Sequence, residues 1–349
     1  MPRRKRYFSP YDSVSAWIKH EQSALTFQGK TRDDYAAWRK AFNGRLRKLL
    51  GPWPEAVPLD AEVVETVDCG DFVREKVVYD TEKYVSVPAY VLVPKGIKPG
   101  EKRPGILAAH GHGRGKADIC AVFDSEEEQH FVGELNYDYA CQFARRGYVV
   151  IAPDWRGFGE RRSPAEWERE GRDPCNVNYM AHGYLGHHLL ALQIWDGMRT
   201  LDYLQSRPEV DGKRLGVCGL SFGGTMTTYL AALEPRLRVA CISGYLSTVK
   251  GDAITMRGKG NFCGAQYMPG LLTIGDIPEV AGLIAPKPLV VEMGEQDQCF
   301  VIGDTKKAFA QLKRIYTAAG CADKLVADIH PAGHAWSGAK AFPWFEGKL

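Results

Sequence analysis

The sequence predicts an α/β fold: a mostly parallel central sheet with helices on both faces and antiparallel strands added at one edge. Three observations predict it. From Pro104 onward, short continuous apolar runs alternate with longer runs of helical period, as in parallel strands buried on both faces. Ahead of them, three segments alternate apolar and polar residues with period two, the mark of half-buried antiparallel strands. Three long connections all follow the C-terminal end of an expected strand, the end where open α/β sheets bind ligands.

Each element has a local reason. The first ~50 residues read as helical. In "TRDDYAAWRKAFNGRLRKLLG", Tyr35, Trp38, Phe42, Leu46 and Leu49 recur every three or four residues, which lines one helix face with apolar side chains. Thr31 with Asp34 resembles a capping box, and Gly51-Pro52 stops the helix. "EVVETV", "FVREKVVYD" and "VSVPAYVLVP" are the antiparallel strands. "PGILAAHG" is then a strand, "YDYACQFARRG" a helix, "YVVIAPDWRG" a strand and "LLALQIWDGMRTLDYLQSRP" a helix. The strand "RLGVCG", a helix after Ser221, and the strands "LRVACISG" and "KPLVVEMG" follow. The helix "DTKKAFAQLKRIYTAAG", the strand "KLVADIHP" and a last helix complete the chain. Residues 1–60 are expected to form a helical extension packed on the main domain of residues 61–349.

The long connections span 113–135, 158–186 and 247–283. They exceed ordinary loop length and carry the aromatics Phe123, Trp167, Tyr179, Tyr184, Phe262 and Tyr267. They are expected to form lid-like insertions roofing a pocket, with Tyr267 among its lining residues.

Composition narrows the function class. A net charge of +3 over 349 residues gives no expectation of a nucleic-acid partner. The basic cluster "PRRKR" is followed by no continuous apolar segment, and no apolar run reaches membrane-spanning length. No membrane partner is expected. The nine cysteines are scattered and form no C-x-x-C pair. Cys218 and Cys241 fall inside strand runs as core residues. A reduced, cytoplasmic setting is the expectation.

The chemistry centres on "GLSFGG". Gly219, Ser221 and Gly223 match G-x-S-x-G, with a strand running in and a helix running out, the context this motif requires. A tight strand-to-helix turn lifts the hydroxyl above the sheet, and glycines let neighbouring backbone pass. The N–H of Phe222, at the helix start, can point at a developing oxyanion. The alternative is a serine that only caps the helix.

A serine hydroxyl needs a base. The chain order that accompanies this elbow is Ser, acid, His. Downstream of Ser221 stand only His330, on a strand, and His334, in the loop "PAGHAW"; His334 is the expected base. "PLVVEMGEQDQCF" offers the acid. Asp297, three residues past Gly294, is favoured over Glu295, and Glu292 lies on the strand itself.

Other polar groups have plainer roles beside a functional one. His110 and His112 form an H-x-H pair, but "HGHGRGKAD" lacks the aspartate placement of a metallo-hydrolase motif, so no metal or other cofactor is expected. In "APDWRGFGERR", Asp154, Arg156, Glu160 and Arg161 suggest a salt-bridged turn shaping the site wall. A substrate role for Arg156 is the alternative. Asp196 and Asp202 are expected to be surface or capping groups, and His187 and His188 a polar pair at a helix start.

Together, "HGHG", "DWRGFGER", "GLSFGG", "GEQD" and "AGHAW" resemble the α/β-hydrolase fold, most closely the dienelactone-hydrolase-like and acetyl-xylan-esterase-like serine hydrolases. The resemblance covers roughly residues 60–349. "HGHG" resembles the H-G-x-G turn of esterases and lipases. That resemblance makes the N–H of His112 the second oxyanion donor, ahead of Gly111 or Gly113, and places His110 near the pocket. Dienelactone hydrolases proper use a cysteine where this chain has Ser221, so a lactone substrate is not implied.

The resulting expectation is a serine carboxylester hydrolase acting on small or carbohydrate-linked acyl esters through Ser221, His334 and Asp297. Two rivals stand beside it: an acyl-peptide or prolyl-type peptidase or acyltransferase with the same triad, and a non-catalytic binding protein on a hydrolase scaffold. The peptidases usually carry a propeller upstream, which the first ~100 residues cannot hold. A decoy usually loses a triad member or an elbow glycine, and none is missing here.

Overall fold

The computed structural model describes residues 6–20, 22–164, 173–254 and 262–349. In chain order the first elements are α1 (Pro10–His20), α2 (Arg32–Leu50), β1 (Glu62–Asp68), β2 (Phe72–Glu82), β3 (Val85–Pro94), β4 (Arg103–Ala109), α3 (Lys116–Ile119), α4 (Glu126–Glu134) and α5 (Tyr139–Arg145). Next come β5 (Val149–Pro153), α6 (Pro174–Tyr184), α7 (Leu189–Ser206), β6 (Val210–Leu220), α8 (Phe222–Leu233) and β7 (Leu237–Ser243). The chain ends with α9 (Leu271–Ile274), α10 (Ile277–Gly282), β8 (Leu289–Gly294), α11 (Ile302–Ala318), β9 (Leu325–His330) and α12 (Ala341–Glu346).

The nine strands form one sheet in the order β1-β2-β3-β5-β4-β6-β7-β8-β9. β1, β2 and β3 pair antiparallel, and β3 meets β5 antiparallel. From β5 through β4, β6, β7 and β8 to β9 every pairing is parallel. Burial explains the division. β5 and β8 are buried along their whole length, whereas β2 alternates toward its end and β1 stays exposed as the sheet edge.

Two apolar layers clamp the sheet. One packs Ile194, Leu201 and Leu204 of α7 and Met226 and Leu230 of α8 against Leu107, Ile151 and Val217. The other packs Tyr139 and Phe143 of α5 and Phe345 of α12 against Ile106, Val150 and Cys218. Each such buried side chain contributes about 1.5–3 kcal/mol.

The amphipathic stripe on α2 is buried at Tyr35, Trp38, Phe42 and Leu46, whereas Leu49 is only half-buried and its neighbour Leu50 is buried instead. Trp38, Phe42 and Leu46 join the first layer, and the Tyr35 hydroxyl donates to the Ala285 carbonyl at 2.7 Å. Thr31 and Asp34 form the reciprocal capping box, at 3.1 and 2.9 Å. The three long connections carry short helices that period-reading did not separate: α3 and α4 in the first, α6 in the second, α9 and α10 in the third. Trp167 and residues 2–5 of the basic cluster lie outside the described residues. Among the described residues no helix is long and apolar enough to cross a membrane.

One expectation needs correcting. Asp196 is not a surface group. It is fully buried on α7, because the Arg156 and Arg161 guanidiniums turn back from the β5 loop to meet it. Asp202, on the outer part of the same helix, is partly exposed and pairs with Arg236 at 2.6 Å.

Candidate active site

β6 delivers Ser221 at its C-terminal end, and α8 begins at the next residue. Ser221 sits at φ 64°, ψ −120°, a strained region for a residue with a Cβ. The surrounding structure holds it there. Its N–H donates to the Ser243 carbonyl at 3.0 Å, and its carbonyl accepts the Thr225 N–H at 3.1 Å. The elbow glycines are steric necessities: a Cβ on Gly223 would lie 1.9 Å from the Ala109 carbonyl oxygen, and one on Gly219 would lie 2.4 Å from the same atom. β4 therefore runs directly beneath the turn.

The loop leaving β4 passes over the elbow. A Cβ on Gly111 would lie 3.2 Å from the Ser221 Cβ and 2.6 Å from the Tyr137 hydroxyl. The Gly111 N–H donates to that hydroxyl at 2.5 Å, so Gly111 is engaged and is not available as an oxyanion donor. Tyr139 donates to the Ala109 carbonyl at 2.5 Å and fixes the root of the loop. The His112 ring rests on Phe158 and Phe222, with centroids 5.3 and 5.7 Å away. Phe222 opens α8, so its N–H belongs to the first turn, which has no intrahelical acceptor.

His334 and Asp297 approach from the other side. The loops after β8 and β9 are stitched together: the Glu295 N–H donates to the His330 carbonyl at 2.9 Å and the Gln296 N–H to Ala332 at 3.2 Å. Asp297 Oδ1 accepts the N–H groups of Cys299 and Phe300, at 2.7 and 2.9 Å. Its Oδ2 accepts from His334 Nδ1 at 2.8 Å. The Phe300 ring stacks on the imidazole with centroids 5.8 Å apart. A Cβ on Gly244 would lie 3.0 Å from His334 Cε1 and 2.7 Å from Leu220 Cδ1, which puts the imidazole directly beside the elbow.

Ser221, His334 and His112 line one cavity of about 510 Å³. Each long connection contributes to its wall: Phe131 and Leu135 from the first, Asp173 from the second, Cys263 from the third. Tyr137 and Phe300 supply aromatic surface. The arrangement brings a serine hydroxyl and an imidazole held by a carboxylate to one cavity.

Three residues expected at the pocket lie elsewhere. His110 is wholly buried. Its Nε2 accepts the Trp155 N–H at 3.1 Å and its Nδ1 faces the Gly111 carbonyl at 2.7 Å. Both ring nitrogens are occupied, and burial lowers its pKa, so it packs as a neutral structural group and cannot pair with His112 on a metal. Arg156 is locked by Asp196, at 2.8 and 2.9 Å, and by Glu82. This is the salt-bridged turn expected of that stretch, and not the substrate role that was its alternative. Tyr267 lines a separate cavity of about 350 Å³ with Tyr229, Tyr245 and Phe262.

Several groups near the site have partners that the sequence could not assign. Lys116 is buried between Asp154 at 2.6 Å and Glu160 at 2.5 Å, pinning the loop after β4 to the loop after β5. Glu292 lies buried under the His334 loop and accepts the N–H groups of Ser337 and Gly338 at 3.1 and 2.8 Å. Burial pushes its pKa up to about 7 against those hydrogen bonds. At the cavity rim, Cys175 and Cys263 converge on His112, with their sulfurs 3.6 and 3.2 Å from its Nε2. Contact with Cys175, and then with His112, holds the Cys263 thiol below its usual range despite burial. Both cysteines lie in long connections, a hint the sequence offered without any way to pair them.

The sequence model of a family described as "Abhydrolase family" matches residues 3–328. YtaP of Bacillus subtilis (strain 168), a hydrolase by its name, is 29% identical over 283 residues, covering 80% of this chain and 88% of its own. A Bacteroides fragilis NCTC 9343 protein described as an acetyl xylan esterase superposes with a TM-score of 0.78 at 16% identity, over 93% of this chain and 83% of its own. A glucuronoyl esterase from Solibacter usitatus superposes with a TM-score of 0.65 at 15% identity, over 94% of this chain and 96% of its own. At these identities the structural likeness is one of fold.

Proposed function

The chain belongs to the abhydrolase family, and on that premise we propose that it is a serine carboxylester hydrolase. Ser221 Oγ attacks the ester carbonyl while His334 Nε2 accepts its proton. The tetrahedral oxyanion lies between the N–H groups of Phe222 and His112. His334 then protonates the leaving alcohol. Water, deprotonated by the same imidazole, releases the acid and restores Ser221. Asp297 orients the ring and stabilises the imidazolium.

One observation carries this reading: the 2.8 Å Asp297–His334 pair faces the cavity into which the strained Ser221 also opens. A serine that only capped α8 would accept a hydrogen bond from the first helical turn, and its side chain makes no such bond. The cavity supports a substrate class. About 510 Å³ with an apolar and aromatic wall suits a small acyl group and leaves the alcohol half at the open rim. The structural neighbour described as an acetyl xylan esterase supports a sugar as that half. Residues 1–60 then act as a packed extension, and the three long connections as the roof over the acyl site.

The test compares wild type with Ser221→Ala on p-nitrophenyl acetate and on a panel running from acetylated sugars to long-chain esters. Turnover is expected to fall on the order of 10⁵–10⁶-fold in the variant. Equal rates would overturn the proposal. Labelling of Ser221 by a fluorophosphonate separates an enzyme from a binding protein on the same scaffold, which would remain unlabelled.

A further inference from the structure

We propose that His112, Cys175 and Cys263 form a binding site for one soft divalent cation of the zinc type, located at the cavity rim and distinct from the Ser221 chemistry. The three ligand atoms all lie within 4.8 Å of one another. The two sulfur-to-nitrogen edges measure 3.2 and 3.6 Å. A tetrahedral zinc with ordinary Zn–S and Zn–N bonds requires edges of about 3.5 Å, so the donors already stand at coordination spacing. Two thiolates and a neutral imidazole also make a soft donor set that balances a 2+ charge. On binding, each thiol releases its proton to solvent. Three protein ligands leave one position for water from the cavity.

The placement gives the ion a structural task. Cys175 is the second residue of α6, held by the Asp173 cap at 2.8 Å. Cys263 belongs to the third long connection, and His112 to the loop over the elbow. The first two segments already touch: the Gly264 N–H donates to Asn176 Oδ1 at 2.7 Å, and a Cβ on Gly264 would lie 2.6 Å from the Cys175 carbonyl oxygen. An ion would cross-link two roof segments to the candidate oxyanion loop through the His112 side chain, leaving the His112 backbone N–H free for the oxyanion. A disulfide between the two cysteines would account for neither the imidazole nor its approach to both sulfurs. The second cluster, of Asp297, Cys299 and His334, is engaged in the triad geometry and is not part of this proposal.

The inference does not depend on the role of Ser221, and its test reads metal rather than turnover. The full chain, reduced with a phosphine and stripped with EDTA, is titrated with Co²⁺ without oxygen. One equivalent should bind with thiolate-to-cobalt charge-transfer absorption, and Zn²⁺ should displace it. Cys175→Ser and Cys263→Ser should each lose that absorption, and Cys299→Ser should keep it. Should a serine variant fold poorly, alkylation of the wild type gives the same information: Zn²⁺ should protect Cys175 and Cys263 and leave the labelling of Cys299 unchanged. Absence of charge-transfer absorption with both thiols reduced, its survival in both serine variants, or a Cys175–Cys263 disulfide that resists the phosphine would overturn the proposal.

Discussion

Asp297 Oδ2 accepts from His334 Nδ1 at 2.8 Å while its Oδ1 accepts two backbone N–H groups. The carboxylate is fixed before it meets the imidazole, so the ring is presented in a single tautomer with Nε2 toward the cavity. Asp297→Asn would offer an amide where Nδ1–H needs an acceptor, and the opposite tautomer would result. Turnover is expected to drop by about 10³–10⁴-fold with KM little changed. Near-native activity with an unchanged melting curve would remove Asp297 from the mechanism.

The buried Asp196 is expected to be the costliest single charge to remove. Burial pushes its carboxyl up, but Arg161 and Arg156 outweigh that and hold it at about 2. Asp196→Ala would leave two poorly exposed guanidiniums without their shared partner, and such a break typically costs about 3–5 kcal/mol. Its folded pKa lies below the unfolded 3.8, so its stabilisation is present above 3.8 and disappears as the pH falls through about 2. Urea unfolding at pH 7 should show the loss. A change below 1 kcal/mol would refute the assignment.

Glu292 works in the opposite direction. Its folded pKa of about 7 exceeds the usual 4.5, so its contribution is complete below pH 4.5 and is lost as the pH rises through 7. A shift of that size corresponds to roughly 3 kcal/mol. Wild type should therefore lose stability between pH 5 and 8 relative to Glu292→Gln, even though the glutamine variant starts lower because its amide must face two backbone donors. Parallel stability curves for the two proteins across that range would show that Glu292 does not titrate there.

These groups also show what the sequence could reveal. Period-two alternation placed the first three strands and continuous apolar runs the other six, because burial on one or both sheet faces acts on neighbouring residues. Ser221, Asp297 and His334 could be put forward as candidates because each follows a strand end and the elbow motif implies their order. Local patterns could not place His110, Arg156 or Asp196. His110 turns away from the cavity because the Trp155 N–H captures it across 45 residues. Arg156 reaches across 40 residues to Asp196. The convergence of Cys175 and Cys263 on His112 depends on how two long connections fold over the sheet, which no short-range period encodes.

Tyr137 is expected to act as a positioning residue of that hidden kind. Its hydroxyl accepts the Gly111 N–H at 2.5 Å, immediately before His112, and its ring lines the cavity. Tyr137→Phe keeps the ring but leaves a buried N–H unsatisfied, which costs about 1–3 kcal/mol. A loss of stability alone would fit any structural tyrosine, so the distinguishing readout is kinetic. If Gly111 holds His112 in register with Ser221, the variant should present its oxyanion donor out of line. kcat should then fall by about 10-fold or more while KM and fluorophosphonate binding change little, because the defect weakens the tetrahedral state more than the ground state. A fall in stability with kcat unchanged would mean that the hydroxyl only supports the fold, and that the His112 N–H is held in place by the Phe158 and Phe222 contacts of its ring.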